Sequence, residues 1–467
     1  MTSETVDKTA ASPPRPIKPG LVLALCSGAT FMAFLDLSVV NIAFPDILAD
    51  YPGTPMSTLT WVVSAYAIVF AAFLTPAGKL ADAVGRHKVF LTALVGFTLA
   101  SLLCALAPDP GVLVAGRVLQ GGFAAAMIPS ALALIISSTP FEKLFRAVAA
   151  WTAISGFSAV VGPALGGVLV EQFDWRAVFF INVPVGVLLL VGGLRGLPRH
   201  APPGTPFPDV VGTLLLTLGI GGAVAGLTEG DRWGWTDPLT LGLIVGGLVL
   251  VGLALARSRR HASPAVEIGL WKVRRFVLCN IAYFVFGAPM FAWLLSGALF
   301  TTTIWQWSIL ESAGALSIGA FASMVTSVIA GRITDQTKHR WIVALGAAMF
   351  AACCAMMATD LFNETPNLWG AWVPASLLGG GGLGFAITGL GTTAATSLPP
   401  IQFAAGLGMN MTARQVGGAL GIASFAALMS ADRLPLDNFH ALYLACAIAA
   451  ALAALIAVLI PDPEPQG

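Results

Sequence analysis

The chain predicts an all-α membrane protein: two six-helix bundles with two extra spans between them (6+2+6, fourteen transmembrane helices). Three observations carry that reading. Of the 467 residues, 57% are hydrophobic and 10% charged, against roughly a quarter charged in a soluble domain. Apolar stretches of about 18 or more residues recur along the chain, each long enough to cross roughly 30 Å of hydrocarbon as a helix. The basic residues segregate to one side of the resulting map, and short motifs recur at nearly one offset.

In chain order the spans are expected at 20–44, 56–78, 89–107, 111–136, 147–170, 177–195 and 209–228, then at 238–256, 276–301, 307–331, 341–359, 368–395, 403–430 and 438–460. The polar, Pro-rich first 19 residues precede an apolar run too long for a signal-peptide core, so the first span is read as retained. Nineteen of the 24 Lys and Arg residues fall in the tail and loops on one side; Arg176, Arg232 and Arg433 fall on the other, and Arg117 and Arg414 fall inside spans. By the positive-inside rule the basic side is cytoplasmic, which puts both termini inside a multi-pass protein of the cell membrane.

Between the halves, "GKLAD" at 78–82 is echoed by "GRITD" at 331–335, an offset of 253 (331 − 78). "VGPALG" at 161–166 is echoed by "VGGALG" at 416–421, an offset of 255 (416 − 161). Both shifts equal eight spans, which leaves spans 7 and 8 outside the repeat. The organisation is then a tail (1–19), a first bundle (20–196), a two-span insertion with its loops (197–275), a second bundle (276–460) and a tail (461–467). Repeated six-span halves around a midplane site are a transporter architecture.

Net charge is +1, which gives no field for nucleic acid. The six cysteines lie in apolar runs without CxxC spacing and read as small packing residues. No nucleophile–base pair or phosphate loop is evident; "GGGGLG" at 379–384 lies inside a span and reads as close helix packing rather than a dinucleotide loop. A non-enzyme is expected. It is expected to need no cofactor or metal and to have membrane lipid as its surroundings. A monomer suffices.

Two ionisable residues stand out. Asp36 interrupts "FMAFLDLSVVNIAF" (31–44) and Arg117 interrupts the fourth span. If span 1 leaves the membrane at Pro45 and span 4 enters near Pro110, the two lie about 13 and 10 Å deep at 1.5 Å per residue. Each is costly at a helix centre, so pairing or a wet cavity is expected, and intramembrane charges mark proton or substrate sites by default. Asn41 and Gln120 are candidates to extend this polar site, with plain helix–helix hydrogen bonding equally open. Arg414 is a second buried arginine without an evident partner, divided evenly between a structural and a substrate role. Glu311 is expected at an interface.

Four motifs resemble the major facilitator superfamily, and within it the fourteen-span drug:proton antiporters. They are "LDLSVVNIAFPDI" (35–47), "GKLADAVGRHKVF" (78–90), "RVLQGGFAAA" (117–126) and "SAVVGPALGG" (158–167), the last with Ser158 where the family usually has Gly. The resemblance implies the major facilitator fold and proton-coupled export of amphipathic small molecules, cationic or neutral, by alternating access. It implies proton coupling at Asp36 with Arg117. A gating loop would use Gly78, Asp82, Gly85, Arg86 and Lys88, with Asp335 as the repeat mate of Asp82. Gly162, Pro163, Gly166 and Gly167 would form the antiporter motif that seals the outer vestibule. Transport of a lipid, peptide or endogenous metabolite is the alternative left open.

Overall fold

The computed structural model describes residues 18–54, 56–59, 61–198, 209–261, 264–266, 268–333, 335–398, 403–429 and 435–462. Among them are fourteen helices of 15 residues or more and no strand. The first half contains α1 (Pro19–Asp50), α2 (Trp61–Val84), α3 (Arg86–Ala105), α4 (Pro110–Ser138), α5 (Phe141–Gln172) and α6 (Asn182–Gly196). Two helices follow, α7 (Val210–Trp233) and α8 (Pro238–Ser258). The second half contains α9 (Arg274–Thr303), α10 (Ile309–Arg332), α11 (His339–Met357), α12 (Val373–Thr396), α13 (Phe403–Met429) and α14 (Pro435–Val458). Eleven helical segments of the described residues, or twelve with the bent α2, are long and apolar enough to cross a membrane.

Local chemistry sets several boundaries. Asp109 and Asp237 cap α4 and α8 through backbone N–H groups, each followed by a proline at the first helical position. Ser308 and Glu311 form a reciprocal capping box that starts α10, so Glu311 is a cap. Around Pro76, which lacks an N–H to donate, α2 bends by 54°. Gly85 takes φ +111° between α2 and α3, a conformation that suits glycine and lets the chain reverse in one residue. The α1 helix continues past Pro45 to Asp50, and its membrane-length apolar stretch is Pro19–Val40.

The packing repeats with a shift of eight helices. α1 lies on α5 as α9 lies on α13; α2 and α3 lie on α4 as α10 and α11 lie on α12. The halves meet along two equivalent seams, α2 against α13 and α10 against α5. α7 and α8 pack on each other, and α7 also lies against α2 and α13, beside the first seam.

The apolar core is divided unevenly. At the end bearing the basic loops, one continuous core includes Phe90, Leu134 and Leu144 of the first half together with Phe276, Val343 and Leu398 of the second. At the opposite end there are two separate cores, one around Val40, Leu113 and Phe179 and the other around Phe300, Phe362 and Trp372. The halves are therefore joined at the basic end and divided at the other.

Candidate functional site

A buried polar cluster of the first half is assembled from five helical elements around Asp36. Asp36 is 1% exposed and Arg117 and Gln120 are fully buried. α4 starts at Pro110 as expected, and that start brings Arg117 to the level of Asp36, where its Nη1 donates to Asp36 Oδ2. Gln120, one turn along α4, donates from Nε2 to Asp36 Oδ1 at 3.1 Å and accepts from Arg117 Nη1 at 2.9 Å. The Nε of Arg117 donates to the Val62 carbonyl at 2.8 Å, and its guanidinium carbon lies 4.4 Å from the centre of the Tyr66 ring.

Two members of the cluster are not legible from the sequence. Asn182 of α6 donates to Asp36 Oδ1 at 2.9 Å and to Ser101 Oγ at 2.9 Å. Ser101 of α3 also accepts from Gln120 at 3.1 Å and passes its own proton to the Phe179 carbonyl at 3.1 Å. Asn182 is the only amide side chain in the apolar run 177–195, and that is its one available signal. A lone serine such as Ser101 carries less, because hydroxyls in helices commonly bond their own backbone.

The hydrogen-bond pattern has a chemical consequence. The groups facing the Asp36 carboxylate are an arginine N–H and two amide NH₂ groups, all donors, and they suit the ionised form. A protonated Asp36 would bring a further O–H into a ring of donors. Rotation of the Gln120 or Asn182 amide would present an oxygen instead, and Ser101 would have to reorient with it. Protonation and side-chain rearrangement are thereby linked.

The other expected residues fall in three places. In the loop motif, buried Asp82 accepts from Arg86 Nε at 2.9 Å, Gly78 is buried and Lys88 is exposed. Asp335 is exposed and bonded to Thr337, whose hydroxyl donates at 2.7 Å, with Lys338 at 3.5 Å. Those bonds hold its carboxyl below the usual range.

In α5, a Cβ on Gly162 would meet Ser38 Oγ at 2.2 Å, and one on Gly166 would meet Val39 Cγ1 at 3.1 Å; at Gly167 it would meet nothing within 4 Å. Gly162 and Gly166 thus let α5 lie close on α1, and Gly167 does not. The side chains of Asn41 and Pro163 lie outside the described residues. The glycines of 379–384 serve packing as expected: a Cβ on Gly380 would fall 1.7 Å from the Gly319 carbonyl oxygen of α10. Arg414 lies apart from this network, in α13, beside Tyr283 of α9.

A family model described as Major Facilitator Superfamily matches residues 26–421 and, separately, 279–467. The chain belongs to the major facilitator superfamily. Among curated relatives, the puromycin resistance protein pur8 of Streptomyces alboniger is 37% identical over 413 residues, 86% of this chain and 80% of its own length. The cephamycin export protein CmcT of Amycolatopsis lactamdurans is 32% identical over 411 residues, 86% of this chain and 83% of its own. The methylenomycin A resistance protein of Streptomyces coelicolor is 29% identical over 457 residues, 96% and 94% of the two chains. The crystal structure of the human organic anion transporter MFSD10 (TETRAN) superposes with a TM-score of 0.69 at 12% identity, over 95% of this chain and 100% of that one. At that identity the match bears on the fold alone. Membership makes this chain a multi-pass membrane transporter of the superfamily rather than an enzyme.

Proposed function

We propose that the chain is a proton-coupled antiporter that exports amphipathic small molecules by alternating access, in the manner of multidrug efflux. The observation that carries this reading is the sequestered network of Asp36, Arg117, Gln120, Asn182 and Ser101, in a chain whose relatives are named for antibiotic resistance and export. A carboxylate inside a membrane helix with a built-in means of rearranging on protonation is what coupling to a proton gradient requires.

The eight-helix shift in packing supports a 6+2+6 layout of fourteen spans, with bundles at 20–196 and 276–460 and α7–α8 as the insertion. With the basic side cytoplasmic, the core that is joined there and divided at the far end corresponds to an outward-facing state. Loading Asp36 with a proton would then disturb the network and favour the switch. The loop motif, with Asp82 held by Arg86 beside the Gly85 reversal, is suited to serve as the cytoplasmic gate.

Everted membrane vesicles with an acid interior test the proposal. Puromycin heads the panel because of pur8, followed by amphipathic dyes, a lipid, a peptide and common metabolites. The wild-type chain is expected to accumulate at least one amphipathic compound and to release protons as it does so. Asp36→Asn is expected to reach the membrane in normal amount and to lose gradient-driven accumulation. Full pH-driven export by Asp36→Asn would make the carboxylate structural and sink the coupling role.

A further inference from the structure

The second half holds a buried cation whose surroundings differ in kind from those of Arg117. Arg414 is 9% exposed, and its Nη1 lies 3.3 Å from the Tyr283 hydroxyl. Its guanidinium carbon is 5.5 Å from the centre of the Tyr283 ring and 6.0 Å from that of Phe34, which belongs to α1 across the divide between the halves. Its Nε has no hydrogen-bond partner, and no carboxylate pairs with it among the described residues. One turn away on each helix, Asn410 reaches Asn280 at 3.5 Å, continuing the polar strip between α13 and α9.

Arginine stays protonated in proteins, and a buried unpaired charge is costly until a counter-charge or strong acceptor meets it. A planar guanidinium with an unused N–H is suited to carboxylate, sulfonate or phenolate oxygens. By accepting from Arg414, the Tyr283 hydroxyl is left with its own proton to donate to the same oxygen. Phe34 supplies an aromatic wall from the other half, so a molecule bound here would touch both halves.

We infer that Arg414 and Tyr283, with Phe34 opposite, form the recognition point for an acidic oxygen of the exported molecule, so that the substrates are amphipathic organic acids. The inference rests on the exporter reading and replaces the cationic or neutral cargo expected from sequence.

The test uses two fluorescent probes of one shape and opposite charge, 9-anthracenecarboxylate and 9-anthracenemethylammonium. Binding to the full-length protein in lipid nanodiscs is measured by equilibrium dialysis without a pH gradient, with empty nanodiscs as the blank. The wild-type protein is expected to bind the carboxylate about tenfold or more tightly than the ammonium compound, the effect of one charge-assisted contact. Arg414→Gln is expected to erase that preference by weakening the carboxylate alone, and Arg414→Lys to restore part of it. A wild-type ratio near or below one, or no binding of the carboxylate, overturns the inference, as does a ratio unchanged in Arg414→Gln. The wild-type comparison decides even if Arg414→Gln fails to fold. Export is scored separately: failure to move any compound in everted vesicles counts against the exporter reading, while the binding ratio still decides the role of Arg414.

Discussion

The two halves share a scaffold and differ in chemistry. Their glycines give the register: Gly162 packs on Ser38 as Gly417 packs on Phe284, an α1-to-α9 shift of 246 (284 − 38). Gly121 packs on Tyr66 as Gly380 packs on Gly319, an α4-to-α12 shift of 259 (380 − 121). In that register Asp36, Arg117 and Gln120 correspond to Ala282, Ser376 and Gly379. The close helix contacts occur twice, while among the described residues an ion pair with both side chains fully buried occurs once. The second half instead carries an unpaired cation on a different helix. A repeated fold can keep its close helix contacts in both halves while giving its buried charges a different setting in each.

The largest test of that contrast compares the two arginines. Arg117→Met is expected to destabilise by about 3–5 kcal/mol, because it strands the Asp36 carboxylate in a fully buried site. Arg414→Met strands no counter-charge and is expected to cost within about 1 kcal/mol. Unfolding of the purified proteins in one detergent measures both, and equal losses would break the distinction. Adding Asp36→Asn should recover most of the Arg117→Met loss.

The next test concerns the shared packing. A Cβ at Gly417 would lie 1.9 Å from the Phe284 carbonyl oxygen, so Gly417→Ala must push α13 off α9, at about 1–3 kcal/mol. At Gly162 the obstacle is the Ser38 side chain, which can turn away, and the loss should be smaller. Gly167→Ala should be near neutral because the space is open. Thermal melting of the three variants orders them. A Gly167→Ala loss as large as that of Gly417→Ala would show that the register misreads which glycines hold the helices close.

The smallest effect lies at the sparsely charged end. There Asp50 accepts from Trp175 Nε1 at 3.0 Å and from Arg176 at 2.9 Å. These bonds, Trp175 first, hold its carboxyl below the ordinary value of 3.8. A lowered folded value means the stabilisation is present above the unfolded carboxylate pKa and is lost as pH falls through the folded one. Both partners are partly solvated, which screens the pair, so Asp50→Asn should cost below about 1 kcal/mol near pH 7. The gap to wild type should close below pH 3.8. In the second half this end is held by Phe300 packed with Trp305, Phe362 and Phe439, and Phe300→Leu should show no such pH dependence. A wild-type-minus-Asp50→Asn difference constant from pH 7 to pH 3 would assign the loss to packing.

Much of this is readable along the chain. Hydropathy and the basic bias are properties of position along a helix axis, and the bilayer imposes them in one dimension. The membrane class, the repeat and the near-equal depths of Asp36 and Arg117 all belong to that dimension. Gln120 follows because one turn separates it from Arg117. Which side chains meet at a given depth depends on the rotation of each helix about its axis and on how closely neighbours approach. Small residues and packing set both, and no periodic signal in 57% hydrophobic sequence reports them. That is why Ser101 enters the network without a sequence signal of its own and Asn182 with only its isolation in an apolar run, why Gly166 is pressed against α1 while Gly167 next to it faces open space, and why the neighbours of Arg414 are Tyr283 and Phe34.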